Sequence, residues 1–259
     1  MSDVLHMAPR PGDRWLVPGD LHFPYNDRAA TRIMIEIAEH YGVTQIILQG
    51  DTFDTYALSK YDKSAAKLVP NSLEREAASA ASFLAWCRTR PDTVFIPGNH
   101  EDRVNSFVGK HPELSGTLTI SKAFGLQGFT VLSHGAQIRA HSMVIEHGDV
   151  LLKGRGLASK VLQKAPHVTT IYGHFHTLDM SRLTTYDKHG RPVTHAAYGV
   201  GHLAALDAHH EWAERYPNWQ QGFVLVEWAP PNFQVTQVEI HRDKTGRAVA
   251  RFDGRTFRG

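Results

Sequence analysis

The sequence predicts an α/β fold in which strands are covered on both faces. Short runs such as Gln45-Ile46-Ile47-Leu48, Thr93-Val94-Phe95 and Thr169-Thr170-Ile171-Tyr172 are β-branched, aromatic or apolar without a polar face, as strands buried between layers are. Between the strand-like stretch at 14–19 and the one at 45–48, apolar residues recur at helical spacing, which gives the strand–helix–strand order of layered α/β proteins. Polar motifs stand directly behind five of the strands, and in open α/β sheets sites form outside the carboxyl ends of strands.

Arg14-Trp15-Leu16-Val17-Pro18-Gly19 reads as the first strand and its turn, with Asp20, Leu21 and His22 behind it. Asn26 or Asp27 caps a helix to Tyr41: Ala30, Ile33, Met34, Ile37, Ala38 and Tyr41 share one face, and Gly42 is a stop. The strand at 45–48 ends in Gly50-Asp51-Thr52-Phe53-Asp54. Residues 55–70 are polar and mixed, with Tyr56, Lys60, Tyr61, Lys63 and Lys67. They follow the Asp51 turn at once and are expected to overhang the site. Asn71 and Glu74 make a capping-box pattern for a helix to about Arg90.

The strand at 93–95 runs into Ile96-Pro97-Gly98-Asn99-His100-Glu101-Asp102-Arg103. A Pro-Gly turn there delivers an amide, an imidazole and a carboxylate in consecutive positions. Such groups at the end of an apolar strand cost desolvation unless they find partners; a metal and a phosphate are the expected ones. Pro112, Gly116 and Gly125 break 101–127 into short helices. Short strands follow at 129–132, 136–141 and 142–147, the last ending in Glu146-His147-Gly148-Asp149. The basic Lys153-Gly154-Arg155-Gly156 leads into a helix near 157–164. The strand at 169–172 ends in Gly173-His174-Phe175-His176. Further strands are expected at about 178–186, 193–200, 223–229 and 234–242, with a last hairpin over 245–253. No repeat, low-complexity tract or strong linker divides the chain, so residues 1–259 are read as one domain.

A chain of 259 residues can bury a sizeable core. Its net charge of +2 implies no acidic partner by itself. Histidine, at 17 residues, is the compositional outlier, and neutral imidazole is the commonest metal ligand. A single cysteine, Cys87, excludes a disulfide framework. Residues 1–13 hold Pro9, Arg10 and Pro11 but no apolar stretch of the signal-peptide kind. No apolar run approaches the roughly 20 residues of a membrane span. A cytoplasmic protein without a membrane partner is the expectation.

The five motifs are Asp20-Leu21-His22, Gly50-Asp51-x-x-Asp54, Gly98-Asn99-His100-Glu101, His147-Gly148-Asp149 and Gly173-His174-Phe175-His176. Imidazole with carboxylate and no thiolate suits Zn, Fe, Mn, Co or Ni and argues against a structural zinc site. In set and order the motifs resemble the calcineurin-like metallophosphoesterase superfamily over roughly residues 14–200. The resemblance implies two mixed β-sheets packed as a sandwich and flanked by helices. It also implies a two-metal centre: Asp20, His22 and His176 on the first ion, Asn99, His147 and His174 on the second, and Asp51 bridging both. The ions expected are two divalent transition metals, manganese ahead of iron, zinc, cobalt and nickel.

His100 is left without a metal and, by the same resemblance, faces the leaving-group oxygen as proton donor or charge stabiliser. An imidazole pKa of about 6.5 suits that task. Asp54 resembles the family carboxylate that orients this histidine. Arg103, Lys153 and Arg155 are candidate contacts for the substrate phosphate, which guanidinium groups match bidentately. His202, in Tyr198-Gly199-Val200-Gly201-His202, stands where the family returns a glycine turn towards the metals. His209 and His210 read as surface residues.

The implied activity is phosphoester hydrolysis. Asp54 is followed by Thr55-Tyr56, not by the Arg-Gly usual in serine/threonine phosphatases. His100 stands where lipid-A-pathway hydrolases usually carry arginine, and the catalytic positions that scaffold members lack are all retained. The chain is too short for the capping domain of double-strand-break nucleases. The stretch Tyr216-Pro217-Asn218-Trp219-Gln220-Gln221-Gly222-Phe223 is similar to small phage and prophage members. After Glu239, Arg242, Lys244, Arg247, Arg251, Arg255 and Arg258 outnumber the acids; a basic surplus is the footprint of nucleic-acid binding and equally of a solvated hairpin. The leading expectation is a phosphodiesterase acting on nucleic acid or nucleotides. A broad phosphomonoesterase is the alternative, and a non-enzymatic binding module the third.

Overall fold

A computed structural model describes residues 3–60, 72–148, 154–205 and 218–259. In chain order the elements are β1 (Val4–His6), β2 (Arg14–Pro18), α1 (Arg28–Tyr41), β3 (Gln45–Leu48), α2 (Leu73–Cys87), β4 (Val94–Phe95), α3 (Asp102–Lys110), α4 (Ile120–Ala123), β5 (Thr130–Val131), β6 (Gln137–Ala140) and β7 (Met143–Glu146). Then come α5 (Leu157–Lys164), β8 (Thr169–Tyr172), β9 (Met180–Tyr186), β10 (Pro192–Gly199), β11 (Gly222–Ala229), β12 (Asn232–Glu239), β13 (His241–Arg242), β14 (Ala248–Phe252) and β15 (Arg255–Arg258).

Two six-stranded sheets form, in the orders β12-β11-β2-β3-β4-β5 and β1-β6-β7-β8-β10-β9. Both are mixed: β2, β3, β4 and β5 are parallel and β11 and β12 antiparallel in the first; β7, β8 and β10 are parallel in the second, with β9 antiparallel at its edge. Side chains alternate across a strand, and β2 shows the result. Trp15 and Val17 enter a core with Ile47, Val94, Val224 and Trp228 of the same sheet and Ile138, Ile145 and Ile171 of the other. Leu16 points the opposite way, into a second core with Ile33, Met34 and Ile37 of α1 and Phe83, Leu84 and Cys87 of α2. Ala158, Val161 and Leu162 of α5 pack on Tyr172 and Ala197, outside the second sheet. The order helix, sheet, sheet, helix is the architecture the motifs implied.

Local chemistry sets the helix ends. Asp27 caps α1, its Oδ1 accepting from Ala29 N and Ala30 N at 3.0 Å each, and Gly42 ends the helix at φ 72°. The start of α2 differs from the expectation: Ser72, not Asn71, is the cap, its hydroxyl accepting from Arg75 N at 3.3 Å. The helix also stops at Cys87, short of Arg90, because Pro91 disfavours a helical Arg90. Strand β1 was not visible in the sequence, since three residues carry no period; it pairs in parallel with β6. The last hairpin lies further along than 245–253: β14 and β15 turn at Asp253 and Gly254, and β13 pairs with the other edge of β14. The expected strand to 242 breaks at the buried Ile240, whose N–H bonds Gln221 O at 2.9 Å. This three-stranded sheet lies against α1.

Residues 61–70 of the expected overhang lie outside the described residues, with Tyr61, Lys63 and Lys67; so do Asn71, Asp149, Lys153, His209, His210, Tyr216 and Pro217. Among the described residues no helix is long and apolar enough to cross a membrane.

Candidate metal centre

The five polar motifs follow β2, β3, β4, β7 and β8. Because β2, β3 and β4 are parallel to one another, and β7 is parallel to β8, each sheet presents its motifs along one edge. The two edges meet. Asp20 Oδ2 lies 3.2 Å from His176 Nε2, and His147 Nε2 lies 3.1 Å from Asn99 Oδ1.

The turns that carry these side chains are conformationally demanding. His22, Asp51, His174 and His176 all have left-handed backbones, with φ of 51°, 47°, 71° and 60°. For residues with a Cβ this conformation costs about 1–2 kcal/mol each, so neighbouring contacts must impose it. Leu21 N and His22 N both donate to Asp51 O, at 3.0 and 2.9 Å, which ties the first motif to the second. The fully buried Glu101 accepts from Gly98 N at 2.8 Å, Asp51 N at 3.0 Å and Phe53 N at 2.7 Å. Its partners are backbone amides, not the metal or phosphate expected for the Asn99-His100-Glu101 run. Two glycines permit the close approach of these loops: a Cβ on Gly98 would lie 2.2 Å from Asp51 Oδ1, and one on Gly50 would lie 2.4 Å from His147 Nδ1.

Among the described residues three groups of potential ligand atoms result: Asp20 with His22 and His176, Asp51 with His147 and His174, and His22 with Asp54 and His100. Within each, the atoms lie within 4.8 Å of one another. In the first, His22 Nε2 is 3.1 Å from His176 Nε2. Asp20 is oriented by Gln49 Nε2 and His174 N, both at 2.8 Å. In the second, Asp51 Oδ2 is 3.3 Å from His147 Nε2, while Oδ1 accepts from His100 N at 3.0 Å.

Tautomers follow from these partners. A carbonyl only accepts, so His147 Nδ1, 3.2 Å from Gln49 O, carries the proton. Its Nε2 lone pair then faces Asp51 Oδ2 and Asn99 Oδ1, both acceptors. His22 Nδ1 faces Asp54 Oδ1 at 3.2 Å, which turns its Nε2 lone pair towards His176. His174 Nδ1 is buried without a hydrogen-bond partner. Lone pairs converging in a buried space call for a cation, and a nitrogen–oxygen donor set without sulfur fits a transition-metal ion.

The charges are arranged the same way. Burial opposes ionisation of Asp51, but His147 and His100 override it and hold the carboxyl well below its usual range. Asp20 is lowered too, against burial, chiefly by His176. Burial lowers His22, and burial with the neighbouring His147 brings His174 down to about 4. For His147, the facing Asp51 outweighs burial and pushes the imidazole up to about 9. Ionised carboxylates and neutral imidazoles are the forms that ligate metals; a bound ion would take the place of the proton on His147.

His100 stands beside this set. Its Nδ1 is 2.7 Å from Asp54 O and 3.2 Å from Asp54 Oδ1, and its ring lies edge-on to His22 at 4.6 Å. Asp54 therefore contacts two imidazoles, His22 and His100. Arg103 donates to Asp54 O at 2.8 Å and brings its other terminal nitrogen to 3.3 Å from His100 Nε2. Arg155 is exposed ahead of α5. His202 is buried, its ring 5.4 Å from that of His176.

The roles of four residues escaped sequence reading. Gln49 orients Asp20, and its only signal is one polar residue between an apolar strand and Gly50. Glu76 of α2 is fully buried and accepts from Thr55 N at 2.8 Å and Tyr56 N at 3.1 Å; burial pushes its carboxyl up to about 8. Thr55, at φ 46°, in turn donates its hydroxyl to His100 O. Trp219 packs edge-on against His176 at 4.5 Å.

The model of the family described as calcineurin-like phosphoesterase matches residues 14–238. Curated proteins offer no match to the chain. Among solved structures, the chain is similar to Vps29 of Chaetomium thermophilum at TM-score 0.47 and 11% identity, over 95% of this chain and 98% of that one. It is similar to the Pseudomonas putida nuclease MPE at TM-score 0.33 and 12% identity, over 95% and 87%. It is similar to the E. coli phosphoesterase Yfce at TM-score 0.38 and 14% identity, over 87% and 98%.

Proposed function

Since the chain belongs to the calcineurin-like phosphoesterase family, we propose that it is a dinuclear metal-dependent hydrolase of phosphoesters, acting on phosphodiesters of nucleic acid or nucleotides. One observation carries the reading: two groups of ligand atoms, Asp20/His22/His176 and Asp51/His147/His174, each gathered within 4.8 Å at the meeting edges of the two sheets. In this reading Asp20, His22 and His176 hold the first ion, and Asn99, His147 and His174 hold the second. Asp51 bridges them; His147 and His22, from opposite groups, both act on its charge. Manganese is the ion we put first.

When bound, such an ion pair supplies Lewis-acid polarisation of phosphoryl oxygens. The chain's own residues do the rest. His100, anchored through Nδ1 on Asp54, would serve the departing oxygen as proton donor in its doubly protonated form; in this structure its Nε2 accepts from Arg103. Arg103 stands at that nitrogen and adds positive charge for a phosphate oxygen. Asp54 fixes the orientation of His100 and His22 together. Arg155 and Lys153 stay as candidate phosphate contacts.

A second reading, a phosphomonoesterase of broad specificity, gains from the basic tail. Arg242 pairs with Asp27, and Arg255 lies 3.2 Å from His40, so part of the surplus is spent within the fold. Purified protein with Mn²⁺, assayed on bis-nitrophenyl phosphate and nitrophenyl phosphate, separates the readings. Faster diester turnover is expected. Faster monoester turnover selects the second reading, and no turnover of either by metal-loaded protein leaves only a binding role.

A further inference from the structure

We propose that Glu76 of α2 is a positioning residue for His100, acting through the peptide bond between Asp54 and Thr55; this rests on the phosphoesterase reading above. The buried stripe of α2 is Glu76, Ala80, Phe83, Leu84 and Cys87. A carboxyl group on the core side of a helix costs desolvation unless its oxygens find donors. Both do. Oε2 accepts from Thr55 N at 2.8 Å, and Oε1 accepts from Tyr56 N at 3.1 Å. The donors lie outside α2, directly behind Asp54 in the chain.

Among the described residues the cis peptide bonds are Phe23-Pro24 and Pro230-Pro231. The bond between Asp54 and Thr55 is therefore trans, and its N–H and C=O point in opposite directions. Glu76 holds the N–H. On the other side, Asp54 O accepts from His100 Nδ1 at 2.7 Å and from Arg103 at 2.8 Å. Thr55 returns to the same histidine, its hydroxyl donating to His100 O. Its φ of 46° is left-handed, which is an outlier for a β-branched residue and must be imposed by neighbouring contacts. The amides of Thr55 and Tyr56, fixed on one carboxyl group, impose it. With that acceptor weakened, Thr55 would relax towards extended backbone and the Asp54 carbonyl would turn away from His100 Nδ1. The Asp54 side chain does not replace this anchor, because its Oδ1 lies further from Nδ1, at 3.2 Å, and is shared with His22. A staple that merely joins α2 to the loop would use the same hydrogen bonds; the two roles part in what their loss does to turnover.

The test is a double-mutant cycle on Mn²⁺-loaded protein: wild type, Glu76→Gln, His100→Gln and the double variant. Glutamine keeps the volume and one acceptor oxygen but turns an NH₂ group towards the other amide. Metal content is determined for each protein, and kcat and KM are measured on nitrophenyl and phenyl esters of phosphate, the phenyl leaving group being the poorer. Glu76→Gln is expected to keep its metal and its KM and to lose about 10- to 100-fold in kcat. Its loss should divide between the two esters as the loss in His100→Gln does. In the His100→Gln background it should cost nothing further, because the group it acts through is already gone. Should Glu76→Gln not fold, Glu76→Asp, whose carboxyl group is one methylene short, carries the same cycle. Additive losses, loss of metal, an unchanged kcat or failure of both variants to fold overturns the positioning role and leaves the hydrolase reading intact. Failure of metal-loaded wild type to turn over either ester overturns both.

Discussion

Asp51 is held from every side: its N–H by Glu101, its carbonyl by Leu21 and His22, one carboxylate oxygen by His100 N and the other against His147. If its carboxylate serves both ions as proposed, replacing it by an amide is expected to cost both. Thus Asp51→Asn should lose both metals, whereas His176→Ala mainly weakens the first; metal content after titration with Mn²⁺ reports the difference. Equal, small losses would remove the bridge. His100→Gln should keep two ions and lose about 10²–10⁴-fold in rate on a poor, high-pKa leaving group, with a smaller loss on nitrophenolate. Equal losses on both would shift His100 from proton donor to charge stabiliser. Because Asp54 also touches His22, Asp54→Asn should combine a milder form of that defect with weaker binding at the first ion.

Glu76 gives a pH signature. Burial holds its folded pKa at about 8, above the ordinary carboxyl value of 4.5. The folded state therefore binds the proton more tightly between these values, and this group's contribution to stability declines as pH rises through the window. Asp54 and Glu101 push in the same direction as burial, while the N–H groups of Thr55 and Tyr56 oppose it. Relative to Glu76→Gln, the wild type should lose up to about 1.4 kcal/mol per pH unit across that range. Melting temperatures of both proteins from pH 5 to 8 check it, and a constant gap between them would sink the idea.

At the scale of elements, α1 illustrates how much can be read locally. Its apolar stripe and both of its ends are written within residues 27–42, so the helix was legible in full. The Asp27 cap has a longer reach, since Oδ2 also accepts from Gln221 Nε2 at 2.9 Å and pairs with Arg242. Asp27→Ala is expected to cost about 2 kcal/mol, the upper range for a lost cap, measured by urea unfolding. A change below half of that would mean the distant partners contribute nothing. The metal-ligand candidates were legible for a comparable reason: each stands immediately behind a strand, in a residue type with restricted chemistry. Gln49 and Glu76 were not, because what they do depends on partners 20 to 31 residues away. The start of α2 was misread because Asn71 and Ser72 can both cap. The C-terminal hairpin was misplaced because both Thr245-Gly246 and Asp253-Gly254 are turn signals, and only the second joins β14 to β15.

For the whole molecule, the two sheets meet where buried carboxylates and imidazoles face one another, so the metal ions are expected to stabilise the fold as well as the chemistry. Anything bound by the folded state alone adds about 2.7 kcal/mol at a hundred times its Kd. Chelation should therefore lower the melting temperature, and Mn²⁺ should restore it. A melting curve indifferent to both would contradict the centre.

The strand order carries a last consequence, for the making of the protein. β2 sits in the middle of its sheet, yet its neighbour β11 leaves the ribosome roughly 200 residues later, tens of seconds at about 5–20 residues per second. Until then the nascent chain shows a bare edge on β2, whose Trp15, Leu16 and Val17 are buried in the finished fold. The first motif, Asp20-Leu21-His22, is therefore anchored on a strand whose second neighbour arrives only when most of the chain has been made.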